Sequence, residues 1–203
     1  PFGGEDRNPT LEILGLLPRR RAGFAVATLA LPVVFGESVA RAVEALRETR
    51  PDAVLMLGQA GGRADVAIER VAVNLDDARI PDNRRRRPVD RPIDPEGPAA
   101  YFSTFPSRAI LAAMTAAGVP ASLSYSAGTF VCNHLSYGVL GFLAKEGRGV
   151  PAGFIHLPWL PEQVVGKPGA PSMSLELSRR AVLAAIDATG ESLGLKLAVR
   201  RGD

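Results

Sequence analysis

Residues 53–57 read Ala-Val-Leu-Met-Leu, an apolar run without a polar position, bounded by Pro51 and by Gly58-Gln59-Ala60-Gly61-Gly62-Arg63. Five residues are too few for a buried helix, whereas a strand covered on both faces is written this way. Covering both faces takes helices, and the chain supplies them. Residues 36–50 place Val39, Val43 and Leu46 at helical spacing before Pro51. Pro106 can open a helix carrying Ile110, Leu111 and Met114, with Gly118 at its end. Residues 131–146 put Leu135, Val139, Phe142 and Leu143 on one face ahead of Gly147. Residues 174–189 form a last helix, with Ser174 as N-cap and Gly190 behind.

Between the helices lie further strand patterns: 24–31, 66–75 with Val71, Val73 and Leu75 on one face, 122–126, and 153–157. Strand and helix alternate throughout. This predicts an α/β fold, a three-layer α/β/α sandwich around a mixed, largely parallel twisted sheet. Neither repeat nor linker divides it, so residues 1–203 are expected to form one domain.

Composition narrows the function. No apolar run approaches the roughly 20 residues of a membrane helix, and no signal peptide is visible, so a cytoplasmic protein without membrane contact is expected. The net charge of +3 is concentrated in Arg84-Arg85-Arg86-Arg87 and Arg91. Asp82, Asp90 and Asp94 dilute that field and no aromatic residues interleave it, so it reads as a solvated loop rather than a nucleic-acid surface. One cysteine, Cys132, allows neither an intrachain disulfide nor a cysteine-rich zinc site, and no metal or cofactor is expected.

Open α/β sheets bind ligands at strand ends, and three such segments carry chemistry. Gly58 to Arg63 lets backbone approach a ligand, although it has neither a Walker nor a dinucleotide spacing and reads equally as a tight turn. Residues 69–83 hold Glu69, Asp76, Asp77 and Arg79, and Glu69 falls in an apolar stretch where an unpaired charge is costly. In Ile155-His156-Leu157-Pro158 a histidine leaves a strand. Cys132 stands where a helical stretch begins, a position that favours a thiolate, although a lone cysteine also serves as a small buried hydrophobe. His134 is close in sequence, yet residues two apart on a helix do not face each other, so it reads as structural or interfacial.

Longer strings run through the chain. They are Pro-Phe-Gly-Gly-Glu at Pro1, Leu-Pro-Val-Val-Phe-Gly at Leu31, Gly-Gln-Ala-Gly-Gly-Arg at Gly58 and Glu-Arg-Val-Ala-Val-Asn-Leu-Asp-Asp-Ala-Arg-Ile-Pro-Asp-Asn at Glu69. Gly-Pro-Ala-Ala-Tyr-Phe-Ser-Thr at Gly97, Ser-Ala-Gly-Thr-Phe-Val-Cys-Asn-His at Ser126 and Gly-Phe-Ile-His-Leu-Pro at Gly153 follow. In these strings, over nearly its whole length, the chain resembles the type I, cysteine-dependent pyroglutamyl peptidases. The family pattern places a short strand and a Gly-Phe pair ahead of Pro-Phe-Gly-Gly; here that motif opens at Pro1, so this strand and its pocket phenylalanine are expected outside the sequence.

The resemblance implies removal of N-terminal pyroglutamate from peptides by a Cys-His-Glu triad, with Cys132 the nucleophile, His156 the base and Glu69 its orienting carboxylate. It assigns oxyanion support to Arg79 and to backbone amides near Gln59 and Cys132. It walls the lactam pocket with Phe2 and Phe130, with Gln59 and Ile80 beside them. It further implies a homotetramer, and the aromatic-bearing segment around Phe154 and Trp159 is an expected interface. The competing expectation is a non-catalytic relative that binds peptide N-termini on the same sandwich.

Overall fold

Side chains on neighbouring strand positions point to opposite faces, and here each face meets its own set of helices. The computed structural model describes residues 3–21 and 23–194. Helix α1 (Pro9–Leu14) leads to a hairpin of β1 (Arg20–Arg21) and β2 (Phe24–Ala25). Helix α2 (Glu37–Thr49) precedes β3 (Val54–Gln59), β4 (Val66–Glu69), β5 (Val71–Val73) and β6 (Ala100–Phe102). Then follow α3 (Ser107–Ala116), β7 (Ala121–Ser124), α4 (Val131–Glu146), β8 (Ala152–Leu157), a 3₁₀ turn (Pro161–Val164) and α5 (Leu175–Ser192).

The central sheet has the order β3-β8-β4-β7. β3 runs parallel to β8 and β4 parallel to β7, while β4 and β8 are antiparallel, so the sheet is mixed with one antiparallel seam. Val66, Ile68, Ile155 and Leu157 enter the core beneath α1, α3 and α5. Ala152, Phe154 and Met56 enter the core beneath α2 and α4. His156 and Glu69 alternate onto this second face, where α4 begins. The expected inward row of α4 is buried at Leu135, Val139 and Leu143. Phe142 is half-buried beneath the guanidinium of Arg47, 5.3 Å from the ring centre.

Several expected elements differ. The run 24–31 is a strand only at Phe24–Ala25, and residues 27–30 are exposed, with no strand partner among the described residues. The run 66–75 splits at Arg70: its N–H donates to Ser124 O and its carbonyl accepts from Ser103. β4 thus stays in the central sheet while β5 pairs with β6 in a separate sheet. Period-two patterning is the same on both sides of such a break and does not reveal it. The strand expected at 122–126 is Ala121–Ser124. β3 is covered on both faces but only partly, its Val54, Leu55 and Leu57 remaining half-buried. Helix α5 passes through Gly190, where a Cβ would stand 2.5 Å from the Phe24 ring. Neither α1 nor β6 is foreseen by the sequence pattern.

Gly153 on β8 sits beneath the buried Phe105 ring, 2.3 Å from where a Cβ would stand. Alanine there gains strand propensity but overpacks the core, and the second effect dominates at about 1–3 kcal/mol. Gly153→Ala should therefore lower the urea midpoint with unchanged m-value, and Phe105→Leu should restore part of it.

Candidate active site

Cys132 is the second residue of α4, a helix of 16 residues with Phe130 at its N-cap. No side chain caps this end. The first N–H groups of a helix lack acceptors within it and present partial positive charge, which favours a thiolate. Asn133, fully buried, fixes the helix start: its Oδ1 accepts from Val73 N–H, and its Nδ2 donates to Val73 O and Leu75 O. Gly58 makes the space for the thiol. It pairs in register with His156, and a Cβ on it would lie 2.9 Å from Cys132 Sγ and 2.6 Å from the Phe154 ring.

His156 and Glu69 meet across the antiparallel seam. His156 is paired with Ala67, and Glu69 stands two residues on, the diagonal neighbour on the same face. Its carboxylate Oε1 lies 2.8 Å from His156 Nδ1. Both are buried, whereas Cys132 is partly exposed, so the three run inward from solvent as thiol, imidazole and carboxylate. Burial by itself would lower the His156 pKa. Pairing with Cys132 and then with Glu69 outweighs it and raises the imidazole to about 9. With Nδ1 on Glu69, Nε2 is the nitrogen left for the thiol.

The other expected residues fall around this line. Gln59 ends β3 and is buried, and its Oε1 accepts from Gln163 Nε2 at 3.0 Å. Phe130 packs edge-on against Phe35, with ring centres 5.4 Å apart. Ile80 is 40% exposed, and its Cδ1 lies 3.5 Å from where a side chain on Gly3 would start. Phe2 lies outside the described residues. Arg79 is exposed and forms no ion pair among the described residues, because Asp76 is held by His134 and Asp77 meets the Asp90 and Thr129 segments instead.

His134 is engaged elsewhere. Its Nε2 accepts from Gly36 N–H at 2.9 Å, so Nδ1 carries the proton toward Asp76, also at 2.9 Å. Both nitrogens are spent on holding the 76–78 segment and the start of α2. The arginine loop is exposed at 84–87 but tethered: Asp82 accepts from the N–H groups of Arg84, Arg86 and Phe35. Of the segment expected at an interface, Phe154 is buried and Trp159 half-buried. Phe154 is buried against His156, and Trp159 covers Gly61 with Lys167 Nζ 4.3 Å from its ring centre.

Three further residues join the site, and the sequence assigns them no part in it. Arg63 reaches Glu69 Oε1 at 3.3 Å. Gln163 accepts from Leu160 N–H through Oε1, which turns its Nε2 toward Gln59 Oε1, Glu5 and Arg7 O. Phe154 forms the wall behind the imidazole. The Gly-Gly-Arg string and the histidine strand hint at the first and last, but pairings over such sequence distances are set by the fold.

Comparison with known proteins identifies the family. A family model for pyroglutamyl peptidase matches residues 1–192. A pyrrolidone-carboxylate peptidase of Caldanaerobacter subterraneus is 52% identical over 92% of both chains. One from Streptomyces coelicolor is 50% identical over 97% of this chain and 93% of its own. Among solved structures, a variant pyrrolidone carboxyl peptidase of the hyperthermophile Pyrococcus furiosus superposes with a TM-score of 0.92 at 42% identity, covering 95% of each chain. The pyroglutamyl peptidase I of Bacillus amyloliquefaciens gives 0.90 at 40% identity, over 93% of this chain and 90% of that one. The chain belongs to the pyroglutamyl peptidase family.

Proposed function

We propose that this chain hydrolyses N-terminal pyroglutamate from peptides, with Cys132 as nucleophile, His156 as acid and base, and Glu69 as the carboxylate behind it. The observation that carries this reading is a buried histidine joined to a buried carboxylate, with the chain's only thiol at a helix N-terminus on its other side. Cys132 Sγ attacks the pyroglutamyl carbonyl carbon. The oxyanion meets the first N–H groups of α4, with Arg79 and the backbone near Gln59 as further donors. As the C–N bond breaks, the imidazolium gives its Nε2 proton to the leaving amine and a thioester remains. Water, deprotonated by His156, then releases pyroglutamate and the thiol. Glu69 holds the tautomer and balances the imidazolium charge.

Specificity follows from what the pocket lacks. Pyroglutamate brings an uncharged apolar ring with one N–H and one C=O, which suits Phe130, Ile80 and polar groups at Gln59, together with Phe2. A charged N-terminal amine would lose its water there without a partner. With the resemblance we also place the enzyme in the cytoplasm as a homotetramer; exposed Phe102, Tyr125 and Val165 supply apolar surface for copies to meet. Among the described residues no helix is long and apolar enough to cross a membrane.

Pyroglutamyl amides should therefore be cleaved, glutamyl and glutaminyl amides should not, and prolyl amides, with the ring but a charged amine, should be very poor. Equal kcat/KM for prolyl and pyroglutamyl amides would overturn this account of recognition.

Cys132→Ala should abolish turnover, and iodoacetamide should inactivate the unmodified enzyme at this thiol. His156→Ala should cost at least about 10²–10⁴-fold. Glu69→Gln should be intermediate and His134→Ala largely active, as read by single-turnover rates with folding checked by circular dichroism. A dead His134 variant beside a fully active His156 variant would remove the triad.

The pH dependence has a definite sign. An imidazole raised to about 9 stays protonated through neutral pH, and the proton donor for the leaving amine is lost only as pH climbs through that value. The alkaline limb of kcat/KM should fall near pH 9, and Glu69→Gln should move it to lower pH.

A further inference from the structure

We propose that Arg63 is a positioning residue for this reaction: its guanidinium holds Glu69 aimed at His156, and ties that carboxylate to the loop that delivers Cys132. The inference rests on the triad reading above. It starts from an imbalance at Glu69. The carboxylate is 2% exposed, Oε1 meets His156, and Oε2 is buried without a hydrogen-bond partner. A buried carboxylate with one bare oxygen is costly to keep ionised unless a cation compensates it. Arg63 NH1, 3.3 Å from Oε1, is the only arginine or lysine paired with Glu69 among the described residues.

The backbone is shaped to bring it there. Gly61 lies under Trp159, where a Cβ would stand 2.1 Å from the ring, and Gly62 takes φ +85, a left-handed turn that glycine adopts without strain. The chain leaving β3 turns here before entering β4 at Val66, and the Arg63 side chain reaches Glu69 at the far end of that strand. The second guanidinium arm, NH2, donates to Ser126 O at 3.2 Å. Ser126 belongs to the segment between β7 and α4, which ends at Phe130 and Cys132. One side chain thus spans the β3 loop, the carboxylate and the approach to the nucleophile. Lysine, a single point charge, cannot hold both partners in a fixed fork.

The electrostatic chain has few members. The ionisable groups acting on His156 are Cys132 from α4 and Glu69 from β4, and Glu69 in turn meets Arg63 from the β3–β4 loop. Removing Arg63 has two opposed consequences. Direct repulsion of the imidazolium disappears, which would favour it. Glu69 loses the partner that aims its Oε1 at Nδ1, so its hydrogen bond to the imidazolium is weakened, which disfavours it. The second dominates, because Glu69 touches the ring whereas Arg63 reaches it only through that carboxylate.

The test is steady-state kinetics of Arg63→Met and Arg63→Lys across pH on a pyroglutamyl chromogenic amide, alone and in the Glu69→Gln background. Arg63→Met should lower kcat about tenfold at neutral pH, the scale at which outer partners of an active histidine matter. KM should change little, and the alkaline limb should move to lower pH. Arg63→Lys should recover part of both. With Glu69→Gln already present, Arg63→Met should cost less than about twofold more, since the carboxylate it serves is gone. An unmoved or raised alkaline limb, or the same tenfold cost in both backgrounds, would reduce Arg63 to a structural residue. Should Arg63→Met fail to fold, Arg63→Lys decides by the same two criteria. If Glu69→Gln alone keeps full kcat and an unmoved limb, the triad reading itself fails, an outcome distinct from an impaired Glu69 variant beside a normal Arg63 variant.

Discussion

The 2.8 Å contact between Glu69 and His156 is the constraint around which the rest of the site is arranged. Two ionisable groups inside a sheet lose most of their hydration, and the loss is tolerable only when each satisfies the other. Burial alone would leave His156 neutral near physiological pH; the carboxylate and the thiol reverse that. The imidazole is therefore held toward its protonated form by the fold itself. Cys132 is the one member with access to solvent, and the imidazole lies directly behind it.

That contact in turn depends on the antiparallel seam. In a wholly parallel sheet, neighbouring strands would each bring helices to both faces in the same sense. Here β4 runs against β8, and the diagonal of an antiparallel pair brings a long glutamate side chain under the imidazole. Alternation does the rest: Ile68 and Ile155 go to one core, Glu69 and His156 to the other. A one-residue slip in either strand would send the chemistry to the wrong face. The flanking Ile, Val and Leu side chains are what hold the register.

Much of this was legible in the residues. The strand-helix alternation, the burial of Glu69 within an apolar run and the poor placement of His134 all follow from periodicity, and the structure bears them out: Glu69 is 2% exposed and both nitrogens of His134 are taken. The break at Arg70 was not legible, because a period of two survives when a chain passes from one sheet to another. The stretch 24–31 misled for the opposite reason: β-prone residues make a strand only where a neighbour supplies hydrogen bonds, and propensity carries no information about neighbours. The pairings of Arg63 and Gln163 were not legible because their partners lie elsewhere in the chain: Glu69 beyond a turn, Gln59 104 residues away.

The glycines of Gly58-Gln59-Ala60-Gly61-Gly62 show how one sequence pattern admits two physical meanings. A glycine-rich turn after a strand invites a phosphate reading, since bare backbone amides can cradle an anion. In this fold the missing side chains make room for other side chains instead. Cys132 and Phe154 occupy the space over Gly58, and Trp159 occupies the space over Gly61. Ala60 N–H is already spent on Leu157 O. Only Gly62 uses its conformational freedom, and it does so to turn Arg63 toward Glu69. Any larger residue at Gly58 would have to displace either the thiol or the ring beside the imidazole, so the spacing between thiol and imidazole is fixed at a position that itself carries no reactive group.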